Sequence, residues 1–151
     1  MEGRVKAVVI DASLALACVL PLPYSGQALV HLQAFSVNHD TLYAPLLWEY
    51  EVVSGLRKAV FAGMLRADDV TRTWIELETL GVQRVALDLL LHRDALHWAG
   101  VLGQVVAYDA QYLAVASRLG AELWTADKRL SVRAREQGVT WVHNIMDGDP
   151  D

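Results

Sequence analysis

Val5-Lys6-Ala7-Val8-Val9-Ile10-Asp11 is the stretch on which the fold turns. It is apolar and β-branched without the alternation of a half-solvated strand, so it predicts a strand covered on both faces and stopped by a carboxylate. Such strands belong to parallel sheets, whose neighbouring strands need helical crossovers. Helices are expected over residues 25–37, 45–62, 68–80, 88–103, 109–119 and 127–137. Pro45 suits a first turn, Asp68 or Asp69 a cap, and Gly81, Gly120 and Gly138 the closing positions. Short strands are expected over residues 41–44, 82–87, 122–125 and 139–142. The alternation implies a three-layer α/β/α domain with right-handed crossovers around a mostly parallel sheet of four or five strands.

The 151 residues suffice for one such domain, expected over residues 1–146, with an acidic tail over 147–151 that is expected to fray. With 13 Lys+Arg against 18 Asp+Glu the net charge is -5, which excludes a bulk electrostatic grip on nucleic acid. A polyanion would have to be met locally. Apolar side chains make up 54% and charged ones 21%, leaving apolar surface for an oligomer or a partner. Cys18 is the one cysteine, which excludes an internal disulfide and a cysteine zinc site and favours the reducing cytoplasm. Arg4 and Lys6 before the run that ends in Leu14-Ala15-Leu16-Ala17-Cys18 imitate a secretion signal, but Asp11 interrupts it. An acid at a membrane centre costs ~2.5–3.5 kcal/mol, so no membrane association is expected.

In an open parallel sheet, ligands bind outside the carboxyl ends of the strands. Asp11 follows the first strand, Asp127 follows the strand over 122–125, and Asp109 opens a helix after an apolar, insert-like loop over 101–107. Each alone reads as a helix N-cap. Three converging carboxylates repel unless protons or a cation intervene, and a hard divalent ion such as Mg²⁺ or Mn²⁺ is the natural cation. A fourth acid, Glu51, shares a helical stripe with Ser54, Gly55 and Lys58 that suits either the lining of a cleft or a solvated face. Glu49 points about 200° away from Glu51, on the side of Val52, Val53, Leu56 and Val60, which suits packing.

Asp11-Ala12-Ser13, Glu51-Val52-Val53-Ser54-Gly55-Leu56, Tyr108-Asp109-Ala110-Gln111-Tyr112-Leu113-Ala114 and Leu123-Trp124-Thr125-Ala126-Asp127-Lys128-Arg129-Leu130 stand in the order found in PIN-domain ribonucleases. Over nearly its whole length the chain resembles a VapC-type toxin of a toxin–antitoxin pair. The resemblance implies a PIN-like fold and a catalytic, metal-binding quartet of Asp11, Glu51, Asp109 and Asp127, with Ser13 and Thr125 as hydroxyl neighbours. Ser54 stands where many members carry Asn. The resemblance also implies an endoribonuclease that leaves a 5′-phosphate and a 3′-hydroxyl. Such hydrolysis needs a more acidic water and a neutralised leaving oxygen, both of which a divalent metal supplies.

Lys128 and Arg129, next to Asp127, and Lys58, on the Glu51 stripe, are the candidates for RNA contact, whereas Arg133 and Arg135 read as ordinary helix charge. Trp74, Trp98 and Trp141 suit core or interface rather than base stacking. His92-Arg93-Asp94 echoes a kinase loop in a chain too short for that fold, and His92 and His97 lie about 140° apart on a helix, which is poor for a shared metal. Expected partners are an RNA substrate, a small antitoxin wrapping an apolar groove, and a second copy in a homodimer. Two other classes compete with a nuclease. One is a catalytically inactive PIN-fold interaction protein. The other is a receiver-like, Mg²⁺-binding signalling domain, which would want paired acids after the first strand and a Lys after the last, where this chain has Asp11 alone and His143.

Overall fold

The computed structural model describes residues 5–147. Its sheet has five strands, all parallel, in the order β3-β2-β1-β4-β5. They are β1 (Ala7–Ile10), β2 (Thr41–Pro45), β3 (Gln83–Val85), β4 (Glu122–Thr125) and β5 (Val142–Asn144). The flanking helices are α1 (Ala12–Val19), α2 (Ser25–Val37), α3 (Leu47–Phe61), α4 (Val70–Glu78), α5 (Leu89–Leu102), α6 (Tyr108–Leu119) and α7 (Lys128–Glu136). The central β1 is sealed from solvent at Val9 and Ile10, as its unalternating sequence requires. Chain order runs outward from β1 through β2 to β3, then returns past β1 to β4 and β5. The β1–β4 junction is therefore the point where strand order reverses, and a crevice opens there at the strand carboxyl ends. A receiver-like sheet would run 2-1-3-4-5, so the topology is not that of the signalling alternative.

The expected alternation of helices and strands holds, with local departures that have physical causes. Helix α1 was not anticipated, because its sequence is apolar all round and carries no polar face to reveal a period; Ala12, Leu14, Ala15 and Ala17 are all buried. Pro45 ends β2, paired in register with Val85, instead of starting the next helix, and Leu46 N–H bonds Val85 O at 3.1 Å. A proline is tolerated there because it closes the strand. The last strand starts at Val142 rather than residue 139. Val139 is consumed in closing α7: its N–H returns to Ala134 O at 2.9 Å while Gly138, at φ 76°, donates to Arg135 O at 3.0 Å, a Schellman closure. Val101 and Leu102 belong to α5, which shortens the supposed insert to a turn after Gly103.

Trp74, Trp98 and Trp141 pack against the core, the last two edge to face at 5.4 Å. Arg133 and Arg135 are both exposed, as ordinary helix charge should be; the first also donates to Leu102 O at 2.7 Å, and the second makes a solvent-exposed pair with Asp147 at 2.9 Å. The remainder of the expected tail, residues 148–151, lies outside the described residues. No helix among the described residues is long and apolar enough to cross a membrane.

Candidate active site

The site is built where β1 and β4 end. Asp11 caps α1: its Oδ1 accepts from Leu14 N–H at 3.0 Å and from the Ser13 hydroxyl at 2.6 Å. Its Oδ2 accepts from the Thr125 hydroxyl, which in turn accepts from Asp127 N–H at 2.9 Å. Ser13 Oγ accepts from Ala126 N–H at 3.1 Å. Two small hydroxyl side chains thus lock the two strand ends together and fix the deepest carboxylate. Asp127 caps α7, its Oδ1 accepting from Arg129 N–H at 2.9 Å and Leu130 N–H at 3.4 Å. Both caps therefore do structural work as well as facing the crevice.

Asp109 is different. It lies inside the first turn of α6, whose N-cap is Ala107, and its Oδ2 accepts from Gln104 Nε2 at 3.0 Å. The short turn after α5 thus delivers a donor to the site. Glu51, on α3, accepts at Oε1 from the Tyr112 hydroxyl at 2.6 Å. Glu49 faces the other way, 3.1 Å from Arg84, whose guanidinium lies 4.6 Å from the centre of the Trp48 ring. The side of α3 expected to pack does so at Val52 and Leu56, but Val53 is exposed because the stripe turns outward there.

The four carboxylates sense one another in a chain. Burial pushes Asp11 up to about 6, against hydrogen bonds from Ser13, Thr125 and Leu14, and the Glu51 charge adds to the rise. Glu51 is raised by burial, opposed by Tyr112 and reinforced by Asp109. Asp109 is raised by burial, opposed by Gln104 and reinforced by Asp127. Tyr24, just before α2, has its phenol raised by burial and by the charges of both Asp11 and Asp127. Among the described residues no three of these groups close into a ready-made metal cage. The quartet is an open arc, and among the described residues Glu51 Oε2, Asp109 Oδ1 and Asp127 Oδ2 have no protein donor. An oxygen-only donor set that runs from buried Asp11 through half-buried Glu51 and Asp109 to exposed Asp127 fits a hard divalent ion.

Beside the arc, a cleft of about 660 Å³ opens between α1 and α3. Its lining includes Ser13, Leu16, Tyr24, Glu51, Ser54 and Lys58. The Ser54 side chain borders the cleft and makes no hydrogen bond to any of the four acids among the described residues. Gly55 serves packing more than access, because a Cβ there would fall 2.3 Å from Leu16 Cδ1. Lys58, Lys128 and Arg129 are exposed. Tyr24, Gln104 and Tyr112 escaped sequence reasoning. Only Tyr112 carried a signal, standing three residues after Asp109 on the same face of α6.

No family model matches the chain. It is 35% identical over 130 residues to Ribonuclease VapC9 of Mycobacterium tuberculosis, covering 86% of this chain and 93% of that protein. Ribonuclease VapC3 of Pyrobaculum aerophilum is 34% identical over 125 residues, 82% of this chain and 92% of the relative. Among solved structures, PAE2754 from Pyrobaculum aerophilum superposes with a TM-score of 0.64 over 94% of this chain and 85% of that one, at 20% identity, a likeness of fold. Identity of this degree across almost the full length of proteins named VapC ribonucleases leads to one conclusion: the chain belongs to the VapC ribonuclease family.

Proposed function

We propose that the chain is a metal-dependent endoribonuclease, the toxin of a toxin–antitoxin pair, which hydrolyses RNA at Asp11, Glu51, Asp109 and Asp127 with Mg²⁺ or Mn²⁺. The observation that carries this reading is a chain of four carboxylates, after β1 and β4 and on α3 and α6, in which Glu51 acts on Asp11, Asp109 on Glu51 and Asp127 on Asp109, at the point where strand order reverses. When bound, a divalent ion would make the attacking water more acidic and neutralise the leaving oxygen. The residues supply position: Thr125, Ser13, Gln104 and Tyr112 each hold one carboxylate oxygen and leave others turned to the crevice. Exposed Lys128 and Arg129 follow Asp127, and Lys58 lies two turns beyond Glu51, so each can meet a phosphate without reversing the overall negative charge. Ser54 borders this path. The intact quartet favours an enzyme over an inactive interaction protein.

The small antitoxin would occupy the cleft between α1 and α3, whose mainly apolar walls meet the acids at Glu51. Charge complementarity calls for a basic side chain inserted among the carboxylates. Helix α3 also exposes Val53 and Phe61, which do not line that cleft and suit a homodimer; a strictly monomeric chain in light scattering at micromolar concentration would remove that part. A single cysteine, Cys18, leaves no internal disulfide to form, which supports a reducing, cytoplasmic setting. The deciding experiment is cleavage of a total RNA pool with Mg²⁺ or Mn²⁺, with and without chelator, followed by end mapping. New 5′-phosphate ends that vanish with chelator are expected. RNA left whole by the metal-loaded protein, or cut equally in chelator, would overturn the reading.

A further inference from the structure

We propose that Tyr112 is a positioning residue for the metal site, acting through Glu51, a proposal that rests on the four-carboxylate reading above. Tyr112 is 1% exposed, and its hydroxyl donates to Glu51 Oε1 at 2.6 Å. A buried tyrosine hydroxyl needs a partner, and an ionised carboxylate is the strongest acceptor available. This partnership spans 61 residues and joins two helices. The other acids are held differently. Asp127 is tied by its own helix, Asp109 by Gln104 five residues earlier, and Asp11 by its own cap and by the adjacent strand.

Glu51 alone depends on a distant helix. It is also the longest of the four acids and only half-buried, and among the described residues no hydrogen bond from α3 holds its carboxylate. Because Asp109 and Tyr112 stand three residues apart on α6, that helix supplies one carboxylate directly and fixes a second by one phenol. The ring of Tyr112 belongs to the core and the oxygen to the site, so replacement by Phe separates the two roles.

The test is Mn²⁺ binding without RNA, followed by electron paramagnetic resonance, on the parent, Tyr112→Phe, Glu51→Gln and the double variant. Loss of a group that orients a metal ligand typically weakens binding 10–100-fold, and Tyr112→Phe is expected in that range with its thermal midpoint little changed. In the Glu51→Gln background Tyr112→Phe should add little, since the amide oxygen still accepts from the phenol but the ionised ligand that the phenol orients is gone; a role in packing alone would add equally in both backgrounds. Glu51→Asp, whose shorter chain withdraws from the phenol, should show a comparable loss that Tyr112→Phe does not deepen, which keeps the test open should Tyr112→Phe fold poorly. Tyr112→Phe binding Mn²⁺ like the parent, or additive loss in the double variant, would overturn the proposal. Parent and Glu51→Gln binding Mn²⁺ alike would instead bring down the four-carboxylate reading, and this proposal with it.

Discussion

Replacing Asp11 by Asn should make the protein more stable at pH 8 and inactive. Burial raises the Asp11 carboxyl from 3.8 to about 6, so the folded state holds its proton more tightly than the unfolded chain does. The sign follows directly: as pH rises from 3.8 through about 6, the unfolded chain has already released the proton, and stability falls across that window. Two units at about 1.4 kcal/mol each put the penalty of ionised Asp11 near 3 kcal/mol above pH 7. Asparagine removes the charge and can still accept from Leu14 N–H and Ser13. Its NH₂ would face the Thr125 hydroxyl, which now donates to Oδ2 and already accepts from Asp127 N–H, so one hydrogen bond is lost at about 1–2 kcal/mol. The variant should therefore gain about 1–2 kcal/mol at pH 8 and be slightly less stable than the parent near pH 4, where the charge penalty has gone. Urea unfolding in chelator at the two pH values measures this. Parallel pH dependence of the two proteins, or RNA cleavage by the variant at the parental rate, would refute the reasoning.

Glu51→Gln should lose nearly all nuclease activity and weaken Mn²⁺ binding, whereas Glu49→Gln, which loosens a half-exposed contact with Arg84 that Glu78 still partners, should change stability by about 1 kcal/mol and activity little. Activities at saturating metal decide it, and the reverse order would mean that α3 faces the crevice with its other side. At Gly55, alanine should be tolerated within about 1 kcal/mol, because its gain in helix propensity offsets the rotation forced on the flexible end of Leu16. Gly55→Val should lose about 2–3 kcal/mol and lower activity by prising α3, with Glu51, away from α1. Leu16→Ala in that background should restore most of the stability in urea unfolding, and absence of rescue would place the strain elsewhere.

Local patterns in the chain were enough for the class of fold, and together with the family resemblance they single out the four acids proposed for the site. An unalternating β-branched strand can only be sheathed on both faces, and glycines after helical periods mark closures such as Gly120 at φ 61°. The helix over Ser25–Val37 and the strand over Glu122–Thr125 lie where composition puts them, since capping and periodicity act over a few residues. Helix α1 left no such trace, because a segment buried on most sides has no polar face, and β5 began later because closing α7 consumed Val139. The site itself divides the same way. That Asp11, Glu51, Asp109 and Asp127 stand out is legible in sequence, as is the opposition of Glu49 and Glu51. The resemblance put Thr125 beside the quartet, but that it bonds Asp11 in particular, that Tyr112 holds Glu51, and that Gly55 receives Leu16 were decided by the tertiary structure alone. Hydrogen bonds and close contacts between distant segments depend on strand order and helix spacing, and no local periodicity encodes those.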